Sequence, residues 1–372
     1  MRILLIGEAS YVHNTLRTHL RALGHEVTLM SDGNAWHDSP RDIDLRRDLR
    51  SRWGGLRVLW RLLRLLPRLR GYDIVQITNP NCVPLRMGWN TLLIRYLARH
   101  NGALVMGCYG DDPLYMRRAL DGALAYSDVY WDGGPQMQAE NAHRIWENNL
   151  PQFWQAHRTA TRLAVRLVAC LYEYHCVYDI QPYRGKLLYL PLPIDLPPAH
   201  EVRVKGGSLP LRVLVGIQSE RDYLKGAAVI GAWLDEIAAE HPDKLQVVRA
   251  EDVPYDRYCQ LLDEADVMVD QLYSYTPAMN ALAAMARGTV VIGGGEEAFY
   301  RFIGEEALRP IINVRPDRLE ESLATLREAL LTPGRVEALS RQSRQFVERH
   351  HDARQVARAY AEMYEGIRQE QP

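Results

Sequence analysis

Four short apolar runs in the first third of the chain are separated by stretches that carry helical or loop patterns. Residues 2–6 (RILLI) are short, continuous and apolar and stop at Gly7, which predicts a buried strand. Leu16, Leu20 and Leu23 recur at helical spacing, so a helix is expected over about Asn14 to Leu23, with Gly24 at its C-terminal stop. HEVTLM (25–30) predicts a second strand, and 56–69 a second helix. YDIVQIT (72–78) and ALVMGCY (103–109) predict further buried strands. Strands that alternate with helices form parallel βαβ units in a doubly wound sheet.

The rhythm then changes. Residues 136–180 read as mostly helical, and KLLYLPLPIDLPP (186–198) as a linker stiffened by Pro191, Pro193, Pro197 and Pro198. Beyond it strand and helix patterns alternate again. LRVLVGI, LQVVRA, DVMVDQ and TVVIGG are the strands, and LKGAAVIGAWLDEIAAEH, YDRYCQLLDEA and PAMNALAAMARG the helices. The expectation is an α/β chain of two tandem Rossmann-like domains, over 1–195 and 196–345. The amphipathic helices of 346–372 are expected to pack back on the first domain.

Length agrees with two cores: 372 residues exceed what one ordinary core holds. Hydrophobic residues at 47% and charged residues at 24% are ordinary for a globular protein. A net charge of −1 provides no field that favours nucleic acid. The five cysteines are scattered and none forms a C-x2-C pair, which suggests neither a zinc site nor a disulfide framework. No run reaches the length of a membrane span. The expected location is cytoplasmic, with any membrane contact peripheral.

Two loops carry candidate chemistry. In GIQSERDYLKGAAVI (216–230) a strand ends and a helix begins near Lys225, with Arg221 in the turn. Both are fixed positive charges beside a helix start, whose N–H groups also favour anions, so a diphosphate is a suitable guest. In DQLYSYTPAMNALAAMARG (270–288) Pro277 opens a helix, and the small residues Thr276 and Ala278 let a ligand approach its N–H groups. Solvated loop charges and ordinary helix capping are the alternatives for these two loops. In the first half, His13 at a helix start suits a general base, with a capping or surface histidine as the alternative. Asp111 and Asp112 are expected either to cap the helix at Pro113 or to act on substrate. Asp42-x-Asp44 lies in an Arg-rich loop, and a metal role is not assigned to it.

Four segments resemble the nucleotide-sugar half of two-domain glycosyltransferases of the GT-B fold, in particular the retaining family 4 (group 1) enzymes of bacterial polysaccharide synthesis. They are Lys225-Gly226, LLDEADVMVDQ, LAAMARGTVVIGG and ERHHDARQVARAYAEMYEGI. GHEVTLMSDG and YGDD (109–112) resemble the first half. The resemblance implies transfer of a sugar from a nucleotide-sugar to a glycan or lipid-linked acceptor, without cofactor or catalytic metal. It implies that Arg221, Lys225 and the backbone of Ala278 and Met279 hold the diphosphate. The family's Glu-x7-Glu pair falls on Tyr275 and Ala283, so neither carboxylate is present. Tyr275 then faces the sugar, and Asn280, Asp270 or Glu296 can supply the missing polar contacts. Asp112 matches the acidic residue of a His-Gly-x-Asp turn and joins His13 as a candidate on the acceptor side. A non-catalytic relative that binds nucleotide-sugar or a partner, and a sugar-nucleotide 2-epimerase, share the outline.

Residues 41–70 hold ten arginines against three aspartates. Arg57, Arg61, Arg64 and Arg68 form one helical stripe, with Trp60 and leucines around it. A solvated face is one reading of 56–69. Contact with anionic lipid at the inner face of a membrane is the other.

Overall fold

The computed structural model describes residues 1–33, 38–86, 88–129, 135–219 and 222–370, with the backbone alone at 135–140 and Tyr255. They form two compact units. The first comprises 1–123, 142–193 and 353–372, and the second 124–141 and 194–352.

The first unit is built on a sheet of seven parallel strands among the described residues. These are β1 (Arg2–Ile6), β2 (Glu26–Ser31), β3 (Ile43–Asp44), β4 (Ile74–Ile77), β5 (Ala103–Gly107), β6 (Arg166–Ala169) and β7 (Leu187–Tyr189), in the order 3-2-1-4-5-6-7. Ile3 lies opposite both Val27 and Ile74, and Ile3 to Ile6 are wholly buried. Each such side chain contributes about 1.5–3 kcal/mol. The helices are α1 (Val12–Ala22), α2 (Gly54–Leu65), α3 (Trp89–His100), α4 (Pro113–Leu120), α5 (Pro135–Asn148), α6 (Pro151–Leu163) and α7 (Tyr172–Tyr178).

Several expectations are refined here. The helix foreseen over 56–69 ends at Leu65, and a 3-10 turn covers Leu66–Arg68, because Pro67 lacks the N–H that would continue the ladder. The mostly helical reading of 136–180 holds in α5, α6 and α7, with β6 interrupting it at Arg166–Ala169. The linker read over 186–198 contains β7.

The second unit has β8 (Leu211–Ile217), β9 (Leu245–Glu251), β10 (Val267–Val269), β11 (Val290–Gly293) and β12 (Ile311–Asn313), parallel and ordered 12-11-10-8-9. Around them lie α8 (Asp222–Lys225), α9 (Ala227–Glu240), α10 (Tyr255–Glu264), α11 (Met279–Ala286), α12 (Glu297–Phe302), α13 (Leu319–Leu331) and α14 (Arg335–His350). Val213, Val215, Ile230, Leu234, Val267 and Ile292 centre its core. The tail divides: α14 belongs to this unit, whereas α15 (Ala353–Glu370) belongs to the first and packs on α1.

Buried hydrogen bonds fix α15 in place. The Tyr364 hydroxyl donates to Gln76 Oε1 at 2.8 Å, and the Tyr360 and Tyr109 hydroxyls meet. Gln76 is a buried amide in the middle of β4, so losing its partners leaves an unpaired group in the core. Tyr364→Ala should cost about 3–5 kcal/mol, and Tyr364→Phe about 1 kcal/mol. Calorimetric melting checks this. The alanine variant should lower Tm by roughly 10 °C, several times the shift of the phenylalanine variant.

Candidate functional site

In the second unit the chain leaves β8 toward one side of the sheet and β10 toward the other, so the order reverses between these two neighbours. Ligands of open parallel sheets bind beyond the carboxyl ends of strands at such a reversal. Two strand-to-helix connections meet there. After β8 comes α8, which ends at half-buried Lys225, and then Gly226, which has φ +67°. A Cβ at Gly226 would press on Leu272 and Tyr273, so the turn needs glycine. The Lys225 carbonyl accepts the Leu272 N–H at 2.7 Å and ties the two connections together. Arg221, the other expected cation, lies outside the described residues.

After β10 comes Asp270, which is buried. Its carboxylate accepts the Ala278 N–H at 3.2 Å and so caps α11. Burial raises the Asp270 pKa, while the Lys225 charge and the Ala278 N–H oppose the rise. The Ala278 amide expected to meet a diphosphate is thus already engaged by a carboxylate. Met279 and Asn280 are half-buried in the first turn of α11, and the Asn280 amide donates to the Tyr258 hydroxyl at 2.6 Å. Thr276 is buried, and Ala283 is exposed.

Tyr275 is 8% exposed and lies in a polar cluster that sequence patterns did not reveal. Its ring stacks on Tyr126 at 4.4 Å and 13°, a geometry that contributes about 0.5–1.5 kcal/mol beyond area burial. The Tyr126 hydroxyl donates to Glu296 Oε1 at 2.9 Å. The same carboxylate accepts Asn313 Nδ2 at 3.0 Å and Arg315 at 3.1 Å. Asn313 ends β12 and Arg315 follows it, whereas Tyr126 comes from the 124–141 segment of this unit.

The first unit treats its candidates differently. After β1, Gly7 has φ +83° and packs against Thr78. His13 then sits wholly buried in α1. Its Nδ1 lies 2.9 Å from the Gly7 carbonyl and its Nε2 3.1 Å from the Gln76 amide nitrogen. Those partners require a neutral ring with the proton on Nδ1. Both ring nitrogens are thus engaged inside the core. Asp112 is likewise wholly buried. It caps α4 through the Tyr115 N–H at 2.8 Å, and its other oxygen accepts the Tyr178 hydroxyl. Of the two expectations for Asp112, capping of the helix at Pro113 is the one the hydrogen bonds display. Asp111 is held by Arg144 through two hydrogen bonds of 2.7 and 2.9 Å. Asp42 pairs with Arg17 and Arg21, and Asp44 with Arg41. Glu8, just after β1, is half-buried and accepts the N–H groups of Ala9, His13 and Asn14. Burial raises its pKa to about 7 against those bonds.

Two parallel α/β units, with the last helix belonging to the first, define the fold of GT-B glycosyltransferases. Residues 214–362 match the family described as Glycosyl transferase-like. The sucrose-phosphate synthase of Thermosynechococcus elongatus is 14% identical, with a TM-score of 0.58 over 99% of this chain and 99% of its own. Anabaena HepE in complex with UDP and glucose is 12% identical, with a TM-score of 0.55 over 98% and 100%. The lipopolysaccharide outer core galactosyltransferase WaaB, in its apo form, is 11% identical, with a TM-score of 0.54 over 97% and 98%. At these identities the likeness is one of fold. No curated protein matches the chain in sequence.

The β1–α1 turn generates a prediction about pH. Burial holds the His13 pKa down at about 4, against 6.5 in an unfolded chain. The unfolded state therefore binds the extra proton between these values, and His13 removes up to about 3 kcal/mol of stability as pH falls from 6.5 to 4. Glu8 has the opposite sign: the folded state holds its proton longer, so its contribution falls as pH rises from 4.5 to about 7. In His13→Gln the melting temperature should be less acid-sensitive than in the wild type, and in Glu8→Gln more so. Melting curves from pH 4.5 to 7.5 check the two signs, and parallel curves for all three proteins would contradict them.

Proposed function

We propose that this protein is a glycosyltransferase that takes a sugar from a nucleotide-sugar and passes it to a glycan or lipid-linked acceptor of surface polysaccharide. The observation that carries this reading is the convergence of Lys225 and the start of α11 beyond the reversing strands β8 and β10, inside the glycosyl transferase-like segment. The Lys225 ammonium and the Met279 N–H hold the diphosphate, joined by Arg221 of the same loop. Charge-assisted hydrogen bonds are the strong ones, and each such contact is worth about 1.5–3 kcal/mol. Asn280 reaches the nucleoside, and Tyr275 belongs to the sugar side. The leaving diphosphate is stabilised by these fixed cations and dipoles, so the reaction needs no catalytic metal. HepE, of the same fold, was captured with UDP and with UDP-glucose, which makes a uridine donor the first to test.

Calorimetry with UDP, GDP and ADP tests the reading. One of the three should bind wild type, and Lys225→Ala should weaken it roughly ten- to a hundredfold. If none binds, or if the variant binds equally well, the protein is a shell of this fold without the donor site. Transfer should also persist in excess EDTA; its loss there would remove the metal-free mechanism.

We further propose that the enzyme works on an anionic membrane surface through α2. Among the described residues no helix is long and apolar enough to cross a membrane. Helix α2 buries only Gly54, Val58 and Leu62. Its outward side carries Arg57, Arg61 and Arg64 together with Leu56, Trp60 and Leu63, which are 55, 58 and 48% exposed. Arg64 lies over the Trp60 ring at 3.8 Å. A merely solvated stripe has no need of tryptophan and leucine. Basic side chains flanking apolar ones are what lipid headgroups and acyl boundaries take up. Replacing Arg57, Arg61, Arg64 and Arg68 with glutamine should weaken sedimentation with phosphatidylglycerol vesicles roughly tenfold or more while leaving the melting curve in place. Equal binding of both proteins would return the helix to a solvent role.

A further inference from the structure

Tyr126 belongs by sequence to the first half of the chain and by packing to the second unit. It is wholly buried, and it closes over Tyr275 and Glu296, which are 8% and 6% exposed. Its ring lies flat on Tyr275, its hydroxyl donates to Glu296, and its backbone N–H donates to the Tyr275 hydroxyl at 3.2 Å. Beneath it the Glu296 carboxylate also takes bonds from Asn313 and Arg315.

An aromatic face, a carboxylate, an amide and a guanidinium around one place form a carbohydrate-binding set. A pyranose lays its C–H face on an aromatic ring, and its hydroxyls donate to carboxylates and accept from N–H groups. Tyr126 meets this set as a sugar would, with a flat ring on Tyr275 and one hydroxyl on Glu296. In the adjoining loop the buried Ser274 hydroxyl lies against Gly294 and has no hydrogen-bond partner.

We propose that Tyr126 is a built-in stand-in for the donor sugar: it occupies a sugar subsite formed by Tyr275, Glu296, Asn313 and Arg315, and the sugar of the bound donor displaces it. The proposal rests on the nucleotide-sugar reading above and adds what controls the sugar half of that site. The diphosphate contacts at Lys225 and α11 do not involve Tyr126, so nucleotide alone binds with the plug in place. The sugar binds only to the fraction of molecules in which Tyr126 has withdrawn, and its apparent affinity is lowered by that fraction. A donor whose sugar matches Glu296 and Tyr275 poorly leaves the plug closed, which makes Tyr126 a determinant of donor specificity.

The test compares each nucleotide with its sugar conjugate by calorimetry: UDP with UDP-glucose, GDP with GDP-mannose, and ADP with ADP-glucose. Tyr126→Ala should raise the preference for the conjugate over the bare nucleotide at least tenfold in the pair that binds, with nucleotide affinity unchanged. Tyr126→Phe keeps the ring and loses the bond to Glu296, and should raise the preference by a smaller factor of about three. Adding Glu296→Gln to Tyr126→Ala should cancel the gain. An unchanged or lowered preference in Tyr126→Ala means that Tyr126 is a permanent wall and overturns the proposal. Should Tyr126→Ala fail to fold, Tyr126→Phe decides, and no rise there overturns it as well. Absence of nucleotide binding in the wild type would instead strike the function reading.

Discussion

Every paired strand in both sheets runs parallel to its neighbours, and most of the architecture follows from that. A parallel sheet cannot be built from tight hairpins, so each strand must be followed by a crossover, here mostly helical. All strand-to-helix turns of a unit then gather at one edge, together with the positive ends of its helices. The groups that matter in the second unit, Lys225, Asp270, Tyr275, Glu296 and Arg315, come from four connections and share nothing else in sequence. Their common position is set by strand direction. The same rule places Gly7, Glu8 and Asn79 at the corresponding edge of the first unit, where the order reverses between β1 and β4.

The electrostatics of the two edges differ. At β8 and β10 a half-buried lysine faces a buried carboxylate, and that carboxylate already holds the first amide of α11. The cation and the helix start at this edge are thus partly occupied, while burial raises the Asp270 pKa. At β1 a carboxylate caps the helix start by accepting three N–H groups. A second anion finds little to bind there.

The fold was legible where burial imposes a simple pattern. Continuous apolar runs such as RILLI and TVVIGG, each stopped by glycine, announced β1 and β11, and their alternation with helical spacing announced parallel units. Strands β6 and β7 were not visible, because Arg166 opens one and the other is three residues long beside prolines. At the site, residue type alone could not separate chemistry from capping. His13 and Asp112 have the side chains of a base, but each also bonds to a distant partner, Gln76 and Tyr178, that no local pattern announces. The loop at Lys225 was legible because a cation beside Gly226 at a strand end is a local pattern. Tyr126 was not, since nothing in ALAYSD points to partners at 275 and 296. Arg315 was missed because it follows β12, another three-residue strand.

Residues 353–370 form a helix of the first unit although they are made after the second, and Tyr126 belongs to the second unit although it is made before most of it. During synthesis from the N-terminus, the sheet of the first unit therefore emerges with the α15 face of Gln76, Tyr109 and α1 uncovered. It stays so while the whole second unit is translated. Over the same interval the 124–129 stretch waits with its tyrosine unpacked. The chain therefore carries two uncovered seams on the ribosome while its second unit is made, and each is closed only by residues that arrive later.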